Sequence, residues 1–204
     1  MSDVREFIES GILELYVLGD TDAEQTRDVE RMAATHEEVR AELKEISEAV
    51  EAYATAHALE PNPTLKPFLL GTIDYMTRMA NGEQPTVPPL LTERSRVDDY
   101  AEWLNRDELQ LREPLRDGAL VRIIGHTPEA TTAIVWLKEG APPETHTAEH
   151  EKFLVVEGTC DITINEKVHS LSAGDVLIIP LHATHWVRVT SDTPCKIILQ
   201  RAAA

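Results

Sequence analysis

From Leu109 onward the chain is written in short apolar runs that fit strands and little else. LQLRE, ALVRIIGH, TTAIVWLKEG, KFLVVEG, CDITINE, KVHSLS, DVLIIP, HWVRVTS and CKIILQR are rich in Val, Ile and Thr and are split by Gly, Pro, Asp or Asn. β-branched residues pack well on a pleated surface, and the punctuating residues favour turns. The close spacing of the runs predicts an all-β sandwich or barrel. A closed barrel has a small interior into which alternate residues of each strand project.

Two segments of this region combine His and Glu with turn residues. The first is GAPPETHTAEHEKFLVVEG, from Gly140 to Gly158, and the second is GDVLIIPLHATH, from Gly174 to His185. Glu151 is followed after six residues by Gly158, and Gly174 after five residues by Pro180 and then His185. This pair of segments resembles the two-part signature of the cupin superfamily. The resemblance implies a jelly-roll barrel whose first motif supplies His and Glu ligands and whose second supplies one more His.

The first motif departs from the family pattern. With Glu151 fixed, the commonest spacing places the two His of the family at 144 and 146, where this chain has Glu144 and His146. Another spacing would place them at Thr145 and Thr147, which are not normal ligands. His146, Glu151 and His185 therefore form the core ligand set, two imidazoles and a carboxylate suited to a divalent metal. Zinc is the first expectation, with iron, manganese or nickel as alternatives. Glu144, Glu149, His150 and His182 are candidates for a fourth ligand. His150 neighbours Glu151 on a strand and so faces the opposite way, which ranks Glu144 and His182 above it. His126 and His169 lie outside both motifs and read as surface or packing residues. Gly158 and Gly174 read as turn residues, and Phe153, Val155 and Trp186 as core residues near the cavity. Cys160 and Cys195 read as small buried apolar residues.

The front of the chain has a different period. Val4, Phe7, Ile8, Gly11, Ile12, Leu15 and Leu18 lie on one helical face, with Gly19 as the stop. Thr21 with Glu24 has the pattern of a capping box opening a helix through Met32, and Thr35 with Glu38 repeats it. The third helix carries Val39, Leu43, Ile46, Val50, Tyr53 and His57 at spacings of three and four. After Glu60-Pro-Asn-Pro, Pro63 suits the first turn of a fourth helix with an apolar stripe of Leu65, Phe68, Leu69, Ile73 and Met76. Such a stripe beside a Pro-bounded hinge is either core or a groove-docking element.

The run ESGILELYVLGDTDAEQTRDVERMAATHEEVRAELKEISEAVEAYA resembles the N-terminal domain of anti-sigma factors that inhibit extracytoplasmic-function sigma factors, over roughly residues 5–80. Many members carry His-x3-Cys-x2-Cys at the start of the third helix. Here the positions are Met32, His36 and Val39, so the resemblance is to zinc-less variants held by packing alone. Continuation into a cupin is similar to the ChrR-type cytosolic anti-sigma factors.

The expected architecture is α+β and multidomain: an all-α helical domain followed by an all-β cupin barrel. The boundaries are 1–80 for the helical domain, 81–107 for an extended linker and short helix, and 108–204 for the cupin domain. Tyr100 and Trp103 are expected to pack the short helix, from Val97 to Arg106, onto the barrel. Net charge is −17, and residues 1–80 hold 17 Asp/Glu against 7 Lys/Arg, a net of −10. That balance argues against direct binding to a nucleic-acid backbone and favours a basic protein partner, or simply solubility. The opening MSDVREFIES lacks the features of a targeting segment and no run has the length of a membrane span, so the expected location is cytoplasmic. Two cysteines outside any CxxC fit a reduced interior.

The functional expectation is an anti-sigma factor with a metal-binding cupin as sensor or structural domain, and with room for a homodimer through the cupin. The alternative is a metal-dependent cupin enzyme, of dioxygenase or isomerase type, with a helical oligomerisation domain. A metal-free, ligand-binding cupin is a third reading. The sequence carries no Gly-rich phosphate loop and no GxSxG.

Overall fold

The computed structural model describes residues 2–112, 114–115 and 118–204. The chain divides into two compact units, residues 1–60 and 61–204.

The first unit is helical: α1 Ser2–Glu9, α2 Ile12–Leu18, α3 Ala23–Thr35 and α4 Glu37–Ala56. Leu13, Val29 and Val39 are fully buried at its centre, ringed by Phe7, Ile8, Met32, Leu43 and Ile46. The apolar face expected as one helix is broken at Ser10–Gly11, where two poor helix formers meet and Ser10 Oγ donates to Phe7 O at 2.6 Å. Gly19 does end α2, with φ 75°, donating to Tyr16 O at 3.1 Å while Asp20 N–H reaches Leu15 O at 2.8 Å.

Both expected capping boxes are corrected. α3 is capped one residue later, by Asp22, whose carboxylate accepts from Glu24 and Gln25 N–H while Gln25 Oε1 accepts from Asp22 N–H. Asp with Gln satisfies the same orphan donors as Thr with Glu, and Thr21 pairs instead with Thr26 Oγ1 at 2.9 Å. Thr35 belongs to the end of α3 and donates back to Arg31 O at 3.0 Å, so the N-cap position of α4 falls to His36, which makes no side-chain cap. The stripe of α4 packs through Ile46, whereas Tyr53 is 68% exposed and stacks on His57.

The second unit opens with α5 Leu65–Ala80. Pro63 lies ahead of it in a turn where Asn62 Oδ1 accepts from Thr64 N–H, and Pro67 occupies the first turn. Among the described residues nine antiparallel strands follow: β1 Ala119–His126, β2 Ala130–Leu137, β3 Gly140–Glu144, β4 Glu149–Glu157, β5 Thr159–Ile164, β6 Lys167–Ser172, β7 Val176–Ile178, β8 His185–Val189 and β9 Cys195–Ala203. They form a five-stranded sheet in the order β1-β2-β9-β4-β7 and a four-stranded sheet in the order β3-β8-β5-β6. The two sheets enclose one core, with Val121, Val135, Phe153, Val155, Ile162, Val187, Ile197 and Leu199 inside. Gly158, at φ 78°, turns β4 into β5, and any Cβ there would meet Ser191 Oγ at 2.7 Å.

α5 belongs to the barrel and not to the helical unit. Gly71 lets it approach β1 so closely that a Cβ would sit 2.9 Å from Val121 Cγ1 and 3.0 Å from Val121 O. Arg78 donates to Ile123 O, and Arg122 pairs with Asp74 at 3.0 Å. These contacts cover β1, an edge strand that would otherwise offer open backbone groups. The two compact units meet in sequence at Glu60/Pro61, with α5 in the second.

Residues 81–96 are extended, as their prolines suggest, but they are not a free linker. They form a strap across the outer face of the five-stranded sheet. Leu91 is fully buried there with Tyr100, Trp103, Leu109, Trp136 and Ile198, each fully buried large side chain being worth about 1.5–3 kcal/mol of transfer free energy. Gln200, itself fully buried, accepts from Leu91 N–H at 2.8 Å and donates to Pro89 O at 3.1 Å and Thr132 Oγ1 at 2.9 Å. Tyr100 Oη donates to the same Pro89 carbonyl, and Trp103 Nε1 to Thr86 Oγ1. The short helical segment is seen as a turn at Val97–Tyr100 and α6 Ala101–Leu104.

Candidate metal centre

Strand alternation builds the site. On β4, Glu151, Phe153 and Val155 face the barrel interior while Lys152 and Leu154 face the strap. On β8, His185 and Val187 face inward. β3 pairs with β8 so that Glu144 lies opposite His185, and His146 follows just beyond the strand. Glu151 comes from one sheet and Glu144 and His185 from the other, so the cluster closes one end of the barrel.

Glu144, His146, Glu151 and His185 each offer a ligand atom, and these four atoms lie within 4.8 Å of one another. His185 Nε2 is 2.8 Å from Glu151 Oε2 and 3.8 Å from Glu144 Oε1. His146 Nε2 is 3.4 Å from Glu151 Oε2 and 3.8 Å from Glu144 Oε2. Donors about 2.1 Å from a tetrahedral ion sit about 3.4 Å apart, so the spacings bracket what one ion needs. His146 Nε2 is buried and has no hydrogen-bond partner among the described residues. A buried imidazole nitrogen without a partner among the described residues, aimed at two carboxylates, suits a cation's ligand better than a finished polar cluster.

The electrostatics agree. Burial pushes the Glu144 carboxyl up, reinforced by the Glu151 charge and opposed by Arg201, His146 and His185. Burial would also raise Glu151, but the two imidazoles and the Arg201 guanidinium outweigh it and hold this carboxyl far below the usual range. Burial lowers His185, and its hydrogen bonds to Glu151 and Ala183 O reverse that, leaving it raised. Two carboxylates and two imidazoles of this kind could hold zinc, iron, manganese or nickel.

Of the residues named from sequence, the structure brings together His146, Glu151, His185 and Glu144, and leaves His182 out. His182 sits at φ 62° with an exposed side chain, and it contributes its backbone N–H, which donates to His146 O at 2.8 Å. Glu149 is exposed and His150 lies on the face opposite Glu151. Phe153 meets the His185 ring edge-on, with centroids 6.5 Å apart, whereas Trp186 is on the outer face and 37% exposed. Cys160 and Cys195 are buried, unlinked core residues.

Arg201 is the residue the sequence reading missed. Its Nε donates to Glu151 Oε1 at 2.9 Å, its Nη2 lies 3.5 Å from Glu144 Oε2, and its Cζ stands 4.4 Å from the Phe68 ring centroid. The signal was present in CKIILQR. Cys195, Ile197 and Leu199 alternate into the core, and the same period puts Arg201 on the inward face.

Residues 133–200 match the family model described as Cupin domain. A search of curated proteins found no match. Among solved structures, the chain is similar to KdgF from Halomonas sp., at 25% identity over 47% of this chain and 86% of that one, with TM-score 0.40. It is similar to an RmlC-like cupin from Shewanella frigidimarina, at 22% identity over 49% and 89%, with TM-score 0.41. It is also similar to the cupin domain of Cnp3 from Schizosaccharomyces pombe, at 14% identity over 46% and 70%, with TM-score 0.42. Among the described residues no helix is long and apolar enough to cross a membrane. The family match and the two-sheet barrel around the His/Glu cluster agree, and residues 133–200 carry a cupin domain.

Proposed function

We propose that this chain is a cytoplasmic anti-sigma factor: it sequesters an extracytoplasmic-function sigma factor, and its metal-binding cupin domain is sensor or brace. The observation that carries the reading is the outward face of α5. Leu65, Leu69, Ile73 and Met76 lie about one turn apart and are 52–64% exposed, with Leu70 beside them at 53%. Contiguous apolar stripes of this kind mark interaction surfaces, and helix-in-groove docking uses this spacing. The charge supports a basic partner, since residues 1–80 are net −10 by 17 acidic against 7 basic side chains. A sigma factor, with its basic DNA-binding surfaces, has the complementary sign.

The test is co-expression with candidate sigma factors, pull-down and elemental analysis. A one-to-one complex that carries metal is expected, and the paired substitution Leu69→Glu and Ile73→Glu should abolish it while leaving metal content unchanged. Metal without capture of any sigma factor would overturn the reading and return the metal-dependent cupin enzyme.

A further inference from the structure

We propose that Arg201 is an internal cation that competes with the metal for Glu144 and Glu151, and that Phe68 of α5 is what holds it in place, so that the seating of α5 sets metal affinity. The inference deepens the metal-centre reading and rests on it, but it does not depend on the identity of any protein partner.

Three observations carry it. First, the guanidinium touches both ligand carboxylates, at 2.9 Å to Glu151 and 3.5 Å to Glu144. Its contact on Glu144 is Oε2, the same oxygen that lies 3.8 Å from His146 Nε2. Secondly, Glu151 does not need Arg201 to aim its other oxygen, because His185 already fixes Oε2 at 2.8 Å. The guanidinium therefore acts chiefly by charge. It neutralises one of two carboxylates, and a divalent ion placed among the same oxygens meets a fixed positive charge a few ångströms away. Thirdly, the far side of the guanidinium is held by the Phe68 ring at 4.4 Å. Phe68 is packed against the barrel core, and its helix is fixed one turn later where Gly71 meets Val121.

The linkage follows from thermodynamics. If α5 in its seated position keeps Arg201 over the carboxylates, seating weakens metal binding, and metal weakens seating by the same factor. α5 is also the helix that carries the exposed apolar stripe. An occupant that drew α5 away from β1 would therefore tighten the metal, and the metal would ease that movement.

The experiment uses the full chain and Zn2+ alone, with affinity measured by competition against a chelating dye. Arg201→Met should raise zinc affinity about tenfold or more, from the loss of a like charge a few ångströms from the ion. Phe68→Leu, which keeps the apolar packing and removes the π face, should raise it about two- to fivefold. Phe68→Tyr, which restores the face, should return it to the wild-type value. The double variant should match Arg201→Met alone. Hydrogen exchange over residues 65–72 should speed up on adding zinc in the wild type and not in Arg201→Met. Unchanged or weaker zinc binding in Arg201→Met would overturn the proposal, since an orienting role would cost about 10–100-fold. Equal affinities in the wild type and Phe68→Leu would overturn the role of α5, and this pair suffices if Arg201→Met does not fold. A wild-type chain that binds no zinc would overturn the metal centre itself, a different result from the first two.

Discussion

Replacing Glu151 by Gln tests the centre of the cluster with almost no change of shape. Glu151 is 1% exposed and makes two short charge-assisted bonds, to His185 Nε2 at 2.8 Å and from Arg201 Nε at 2.9 Å, with His146 Nε2 at 3.4 Å. Hydrogen bonds to charged groups are worth about 1.5–3 kcal/mol and neutral ones about 0.5–1.5. The amide preserves volume but keeps a single acceptor: the bond it retains weakens to a neutral-acceptor bond, by about 1 kcal/mol, and at the other position an amide N–H replaces the accepting oxygen, at about 1–2 kcal/mol, so the metal-free protein should lose roughly 2–3 kcal/mol. For a unit of this size that lowers the melting temperature by roughly 5–10 °C. The chain has three tryptophans, Trp103, Trp136 and Trp186, all within residues 61–204, so fluorescence reports on the barrel unit alone. Denaturant unfolding followed by tryptophan fluorescence, with chelator present, gives the number directly. A midpoint and slope indistinguishable from wild type would refute the reasoning, because it would mean that the carboxylate holds neither neighbour by its charge.

Three further outcomes are expected. His146→Ala combined with His185→Ala should leave the purified protein without bound metal, while His182→Ala should retain it; elemental analysis separates the two, and unchanged metal in the first would refute the ligand set. Gly71→Val should destabilise the barrel unit by about 1–3 kcal/mol, since its Cβ would press on Val121 at 2.9–3.0 Å and α5 would have to lift; unaltered unfolding would show that the helix is not seated there. Gln200→Leu should lose about 2–4 kcal/mol and open residues 81–96 to limited proteolysis, because Leu91 N–H and Thr132 Oγ1 lose their buried partner; resistance equal to wild type would mean the strap is held by apolar burial alone.

The parts of the fold legible from sequence are those set by period and punctuation. Alternation at period two set Glu151 and His150 on opposite faces, because a strand's side chains leave no third direction, and the cupin resemblance implied that Glu151 and His185 are the inward ones. The helical period of the first sixty residues and the stop at Gly19 were equally readable. Capping was less so. Asp22 and Thr21 are adjacent and both competent, and only the packing of α3 decides which of them is the cap. The apolar stripe from Leu65 to Met76 was visible too. Its inner side, with Phe68 and Gly71, meets the barrel while its outer side stays uncovered, and no one-dimensional pattern separates those two sides.

The residue types of the candidate metal centre, and which strand neighbours share a face, were determined by the sequence itself, since chemistry and period two act locally. Tertiary structure decided the rest. It set Glu144 rather than His182 beside His146, Glu151 and His185, because the register of β3 against β8 puts Glu144 opposite His185 while His182 turns outward at positive φ. It turned the proline-rich stretch from a linker into a strap, because Gln200, more than a hundred residues away, supplies the partners its backbone lacks. It brought Arg201 and Phe68 to the same two carboxylates, a meeting that depends on β9 lying beside β4 and on α5 folding back over β1. Contacts between segments so far apart in the chain are fixed by how the sheets close, and closure is a property of the whole barrel, not of any single run.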